Sequence, residues 1–216
     1  MPSRETAHRV STWNRRLHNY VGLYLILFLW LFAVSGLILN HPTWSFAQFW
    51  PDREQSSYER QIRVPPAGGD AMRARDLLDQ LGIAGEIEQI KPRAETDEPG
   101  LEVRVMRPGR IVEVRADFEA GRATVAVTQT NAWGVLHWLH SFTGVRMGRP
   151  EQQRDWVMTR LWSLAMDAVC AGLLFLVASS LYMWYPVVRK RKLGWAFLGA
   201  GLLGCGFFLF GLGWLA

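Results

Sequence analysis

The chain is patterned in two unlike ways. Residues 20–39, 161–185 and 193–216 are almost free of charge, and a polar, charged region over about 51–130 lies between the first and second of these. The first apolar stretch sits within WNRRLHNYVGLYLILFLWLFAVSGLILNHPTW, residues 13–44, and has a histidine at each end. Between His18 and His41 lie 22 residues without a formal charge. At about 1.5 Å rise per residue a helix of that length covers roughly 35 Å, just more than the ~30 Å hydrocarbon layer of a bilayer. The pattern predicts a membrane span over 18–41, stopped by Pro42, with the two histidines marking the two membrane faces. Second and third spans are predicted over 156–186 and 193–216. The third, rich in glycine and without an ionisable side chain after Lys192, reads as a packing or association helix.

The polar region has shorter periods. Residues 42–69 read as an interfacial aromatic segment (Trp44, Phe46, Phe49, Trp50) running into a linker of Pro, Gly, Ser, Gln and Arg. Ala71, Ala74, Leu77, Leu78 and Leu81 recur at helical spacing, which predicts a helix over 70–81 with Asp70 as N-cap and Gly82 as stop. Alternating or β-branched runs predict strands at 87–92, 101–107, 110–117 and 122–128. PG at 108–109 and EAG at 119–121 supply hairpin turns. One helix against a three- or four-stranded antiparallel sheet gives a small α+β domain over 70–130. Within 131–155 the spacing predicts a short helix over 133–143, capped by Asn131 and ended by Gly144. It is too short to span a bilayer and lies at or dips into the outer surface. His137 and His140, at i and i+3, share one of its faces.

Charge fixes the orientation. The formal net charge is +5, which alone would admit nucleic acid as a partner. However, Arg4, Arg9, Arg15 and Arg16 precede the first span, and Arg189, Lys190, Arg191 and Lys192 separate the second from the third. By the positive-inside rule the partly disordered tail 1–17 and the loop 187–192 are cytoplasmic, and the α+β domain and C-terminus lie outside. The basic groups then face lipid headgroups and nucleic acid is excluded. Most of the 11 tryptophans fall near the ends of apolar runs, as in an interfacial aromatic belt. The first apolar core exceeds the 7–15 residues of a signal peptide, so it reads as a retained anchor. Cys170 and Cys205 both fall in spans and read as small packing residues, leaving the exported domain without a disulfide framework.

Chemistry is sparse. The α+β region holds no histidine or cysteine, and its acidic residues lie mostly on strands or turns facing water, so it has no catalytic site. His8 is a solvated tail residue. Asp167 stands out as a carboxylate inside the second span: 18 residues from Tyr185, it is ~27 Å up, near the outer edge and at the depth of His41. Either it orients a ligating imidazole or it pairs with Arg160, two turns along the helix.

The order HNYVGLYLILFLWLFAVSGLILN, small αβ module, LHWLHSFTG and a span ending LYMWYP resembles the PepSY-associated transmembrane helix family, over nearly the whole chain. The closer likeness is to its short three-span members with a single PepSY-like domain. Longer relatives include bacterial inner-membrane reductases that carry b-type haems on histidines and reduce siderophore-held iron. The resemblance therefore implies a bacterial cytoplasmic-membrane location and His18, His41, His137 and His140 as candidate ligands. The chain departs from those reductases in being about half their length and lacking a fourth long span.

A bis-histidine haem needs imidazoles from two facing elements, and His137 and His140 project from one turn of one helix. The expectation is one b haem near the outer face, held by His41 and by His140 or His137. Asp167 would orient an imidazole, and Arg146 and Arg149 would meet propionates or stay solvated. A second haem at His18 would require an opposing ligand from a second protomer or a partner subunit. Two readings of function follow. The first is an electron-transfer protein or reductase passing electrons from an unidentified donor to an extracytoplasmic acceptor: ferric iron, a ferric siderophore or a protein. The second is a haem-free accessory or regulatory protein binding an exported partner.

Overall fold

The protein, analysed as a computed structural model, is described over residues 4–92, 100–144, 156–187 and 191–211. Its elements in chain order are α1 (Arg4–Asn40), β1 (Glu54–Gln61), α2 (Asp70–Leu81), β2 (Glu86–Pro92), β3 (Gly100–Arg107), β4 (Arg110–Asp117), β5 (Arg122–Gln129), α3 (Ala132–Ser141), α4 (Val157–Val187) and α5 (Arg191–Gly206). Among the described residues three stretches are helical, long and apolar enough to cross a membrane: His8–Asn40, Val157–Tyr185 and Arg191–Gly211. The chain is a multi-pass membrane protein with a small α+β domain between its first two spans.

α1 is one unbroken helix from Arg4, so residues 4–17 of the segment read as a partly disordered tail are helical. Residues 4–17 contain no glycine or proline to interrupt it. The helix ends at Asn40 because Pro42 disfavours the helical conformation at His41. α5 begins at Arg191, so Arg191 and Lys192 belong to a helix and not to the predicted loop. Arg189 and Lys190 lie outside the described residues.

The strands form one antiparallel sheet in the order β1-β5-β4-β3-β2. Its register aligns Ile90, Val103, Val114 and Val125 in one row across four strands, with Tyr58 opposite Val125 on the fifth. Alternation puts Leu101, Val103, Val105, Val112, Val114, Ala116, Ala123, Val125 and Val127 on one face, where Ala74, Leu77 and Leu78 of α2 complete the core. On the other face Arg104 bridges Glu88 at 3.1 Å and Glu113 at 3.7 Å, and Arg115 meets Glu102 at 3.5 Å. α2 is capped by Gly69, with Asp70 as its first helical residue, and it ends at Gly82, whose φ of 65° is left-handed.

Two differences from the sequence reading stand out. The stretch taken as a linker contains β1, an edge strand exposed at every position. It has no buried face to leave an alternating signature, and its backbone ladder to β5 holds it. Glu86 does not face water: it is 3% exposed, and its Oε2 accepts the Trp156 N–H at 3.1 Å. That puts a carboxylate at the N-terminal, positive end of α4.

α3 is capped as expected, Asn131 Oδ1 accepting from the N–H groups of Trp133 and Gly134. The helix stops at Ser141, two residues short of the predicted end. A Cβ at Gly134 would stand 2.6 Å from Thr130 Cβ and 3.0 Å from Phe49, so only glycine allows α3 this approach.

The chain forms two compact units, residues 27–168 and residues 1–26 with 169–216. In the second unit α1 and α4 meet at Gly172, where a Cβ would come 2.8 Å from Leu25 Cδ1. Trp195 of α5 meets Trp184 edge-on at 5.5 Å, and Arg191 lies over the Tyr185 ring at 4.2 Å. Cys170 and Cys205 are free and exposed.

Candidate functional site

His140 is the most constrained histidine. Its Nδ1 lies 2.7 Å from Ser35 Oγ, and Ser35 is 1% exposed on α1. Gly36 gives the ring room: a Cβ there would stand 3.3 Å from His140 Cε1. Phe32 meets the imidazole edge-on at 5.4 Å. Ser35 Oγ also donates to Phe32 O at 3.2 Å. With its one proton so used, the serine accepts from Nδ1–H, and His140 Nε2 keeps its lone pair.

His41 stands just past the last residue of α1. Its Nδ1 is 2.9 Å from Leu37 O, and a carbonyl only accepts, so Nδ1 carries a proton and, in the neutral tautomer, Nε2 the lone pair. The ring stacks on Trp44 at 4.3 Å with an interplanar angle of 18°. No ring contact joins His41 to His137 or His140 among the described residues. An aromatic series runs from Trp44 through Phe46 to Trp133 of α3, with centroids 5.3 and 5.8 Å apart.

His137, one turn before His140, tilts against Phe49 at 4.8 Å. It borders a cavity of about 330 Å³, together with Glu86, Glu88, Met106, Trp138 and Phe142. Partial burial lowers its pKa, and the neighbouring His140 lowers it further. In the other unit, His18 Nδ1 lies 3.2 Å from Ser179 Oγ; Ser179 is buried.

The structure thus brings His137 and His140 together and gives His41 and His18 separate neighbours. Among the described residues Asp167 makes no hydrogen bond to these imidazoles; the Nδ1 anchors of His140 and His41 are Ser35 Oγ and Leu37 O. Asp167 is exposed on α4 and forms no ion pair with Arg160 among the described residues. α4 starts at Val157 and its apolar stretch runs to Tyr185, so Asp167 is ten residues, about 15 Å, from the start. A ~30 Å hydrocarbon layer centred on that span would have the carboxylate roughly 8 Å inside it. Arg146 and Arg149 lie outside the described residues.

Haem ligation calls for neutral imidazoles with one ring nitrogen anchored and the other free. His41 and His140 each anchor Nδ1, and neither Nε2 has a partner among the described residues; no ring contact there brings the two imidazoles face to face. Sequence reading missed Ser35, Gly36, Ser179 and Glu86. The SG pair late in the first span was visible as a motif; its partner, 105 residues away, was not. No group of three metal-ligating His, Cys, Asp or Glu side chains occurs among the described residues.

A family model described as PepSY_TM-like matches residues 12–209. No curated protein and no solved structure matches the chain.

Proposed function

The chain belongs to the PepSY_TM-like family, and from that premise and the setting of its histidines we propose that it is a b-haem electron-transfer protein of the bacterial cytoplasmic membrane. In this reading it passes electrons from a donor still to be identified to an extracytoplasmic acceptor, ferric iron or a ferric siderophore. One observation carries the proposal: His41 and His140 both tie down Nδ1 and leave Nε2 with a free lone pair. When bound, haem supplies a one-electron couple whose potential depends on its axial ligands. The protein's share is to hold two imidazoles in a fixed tautomer, to clear space for one of them with Gly36, and to keep His137 neutral. The outer end of the first span is near water, where a polar acceptor can approach.

The proposed topology has the N-terminus and the basic 187–192 segment in the cytoplasm, the α+β domain outside and the C-terminus outside. An alkaline phosphatase fused after Ala216 should be active; an inactive fusion with a cytoplasmic reporter active there contradicts it. The haem reading is tested by purifying the chain from haem-replete cells. A Soret band with a reducible α-band is expected.

A second reading, a haem-free accessory protein, has one observation in its favour. The Glu86 carboxylate joins the first residue of β2 to the start of α4, so a ligand bound to the sheet could bias the membrane helix. A colourless, fully folded preparation from those cells would favour it.

A further inference from the structure

We propose that the face of α4 carrying Asp167 docks a different membrane protein, through a span that presents a lysine or arginine at the depth of that carboxylate. The inference stands with or without haem. Asp167 lies about 15 Å along α4 from Val157 and so within the hydrocarbon layer. Its side chain is exposed and has neither hydrogen bond nor ion pair among the described residues. A charged carboxylate within the hydrocarbon layer is costly, and such residues ordinarily face a partner or a water-filled cavity. The surface around it is open and apolar: Leu161 and Leu164 are 54% and 67% exposed, and the small Ala168 is exposed beside it. A small residue next to a polar one lets a second helix approach closely enough to hydrogen-bond.

Charge decides between the two obvious occupants. Residues 17–40, 161–187 and 193–211 contain no lysine or arginine. A second copy of this chain therefore has no such group to set against Asp167 at that depth. Arg160, the nearest basic residue on the helix, is seven residues closer to its end, about 10 Å away, and is engaged elsewhere. A span with its own lysine or arginine satisfies the carboxylate and is itself satisfied, the usual arrangement for intramembrane charges.

The test uses the full chain in membranes of its native host, with a photo-crosslinking amino acid at position 164. The expected result is one defined protein adduct whose mass differs from twice that of the chain. Its peptides should identify a membrane protein with a lysine or arginine inside a span. The adduct should be lost in Asp167→Asn, with membrane insertion unchanged by reporter fusion. It should also be lost when the partner's basic residue is replaced by alanine, and return when Asp167→Lys is combined with the partner's basic residue changed to aspartate. An adduct of twice the chain's mass, crosslinks to lipid alone, or an adduct unaffected by Asp167→Asn would each overturn the proposal.

Discussion

Ser35 Oγ of α1 and His140 Nδ1 of α3 lie 2.7 Å apart, although 105 residues separate them in the chain, and Gly36 holds open the space the imidazole occupies. Removing the hydroxyl leaves Nδ1–H without its acceptor in a part-buried setting. Ser35→Ala should destabilise the protein in detergent by about 1 kcal/mol, the usual net worth of such a bond. Gly36→Leu should do more damage, because its side chain must enter the space of the ring; overpacking of this kind costs about 1–3 kcal/mol. Thermal unfolding of the two variants checks the order. Equal midpoints for Gly36→Leu and wild type would show that the ring is not held there.

Glu86 links the sheet to α4. Glu86→Gln keeps an oxygen that can accept the Trp156 N–H, whereas Glu86→Ala leaves that donor unpaired, at a cost of about 1–3 kcal/mol. The expected result is near-wild-type resistance of Glu86→Gln to limited proteolysis and faster cleavage near residue 156 in Glu86→Ala.

His137 gives the protein a pH dependence of known sign. Its pKa is lowered in the folded state, first by burial and then by His140, so the unfolded chain binds more protons between the folded pKa and the ordinary histidine value near 6.5. The contribution of His137 to stability is complete above about pH 6.5 and is lost as pH falls from there toward the folded pKa. The unfolding midpoint should therefore drop between pH 7.5 and 5.5, and His137→Gln should shrink the drop. An identical drop in that variant would assign the effect to other groups.

Legibility in the sequence followed burial. β2 to β5 were readable to within one residue: β3 to β5 set a buried apolar residue at every second position, β2 carries the β-branched Ile87 and Ile90, and the turns at Gly109 and Gly121 have the positive φ their glycines suggested. β1 was not readable, since EQSSYERQ is exposed throughout and held by backbone bonds to β5. The four membrane-proximal histidines were visible as residue types at the ends of apolar runs. Their partners, Ser35, Leu37 O and Ser179, were not, because two of the three pairings are tertiary and the third uses a backbone carbonyl. Asp167 shows the converse: its oddity was plain in the sequence, and its lack of a partner among the described residues needed the fold.

The most direct test of the electron-transfer account is the reduced-minus-oxidised visible spectrum of the purified protein beside its His41→Ala, His140→Ala, His137→Ala and His18→Ala variants. The account predicts an α-band in the wild type that is abolished in His41→Ala and His140→Ala, shifted in His137→Ala and retained in His18→Ala. A wild type without the band, or four variants that all keep the wild-type spectrum, would contradict it.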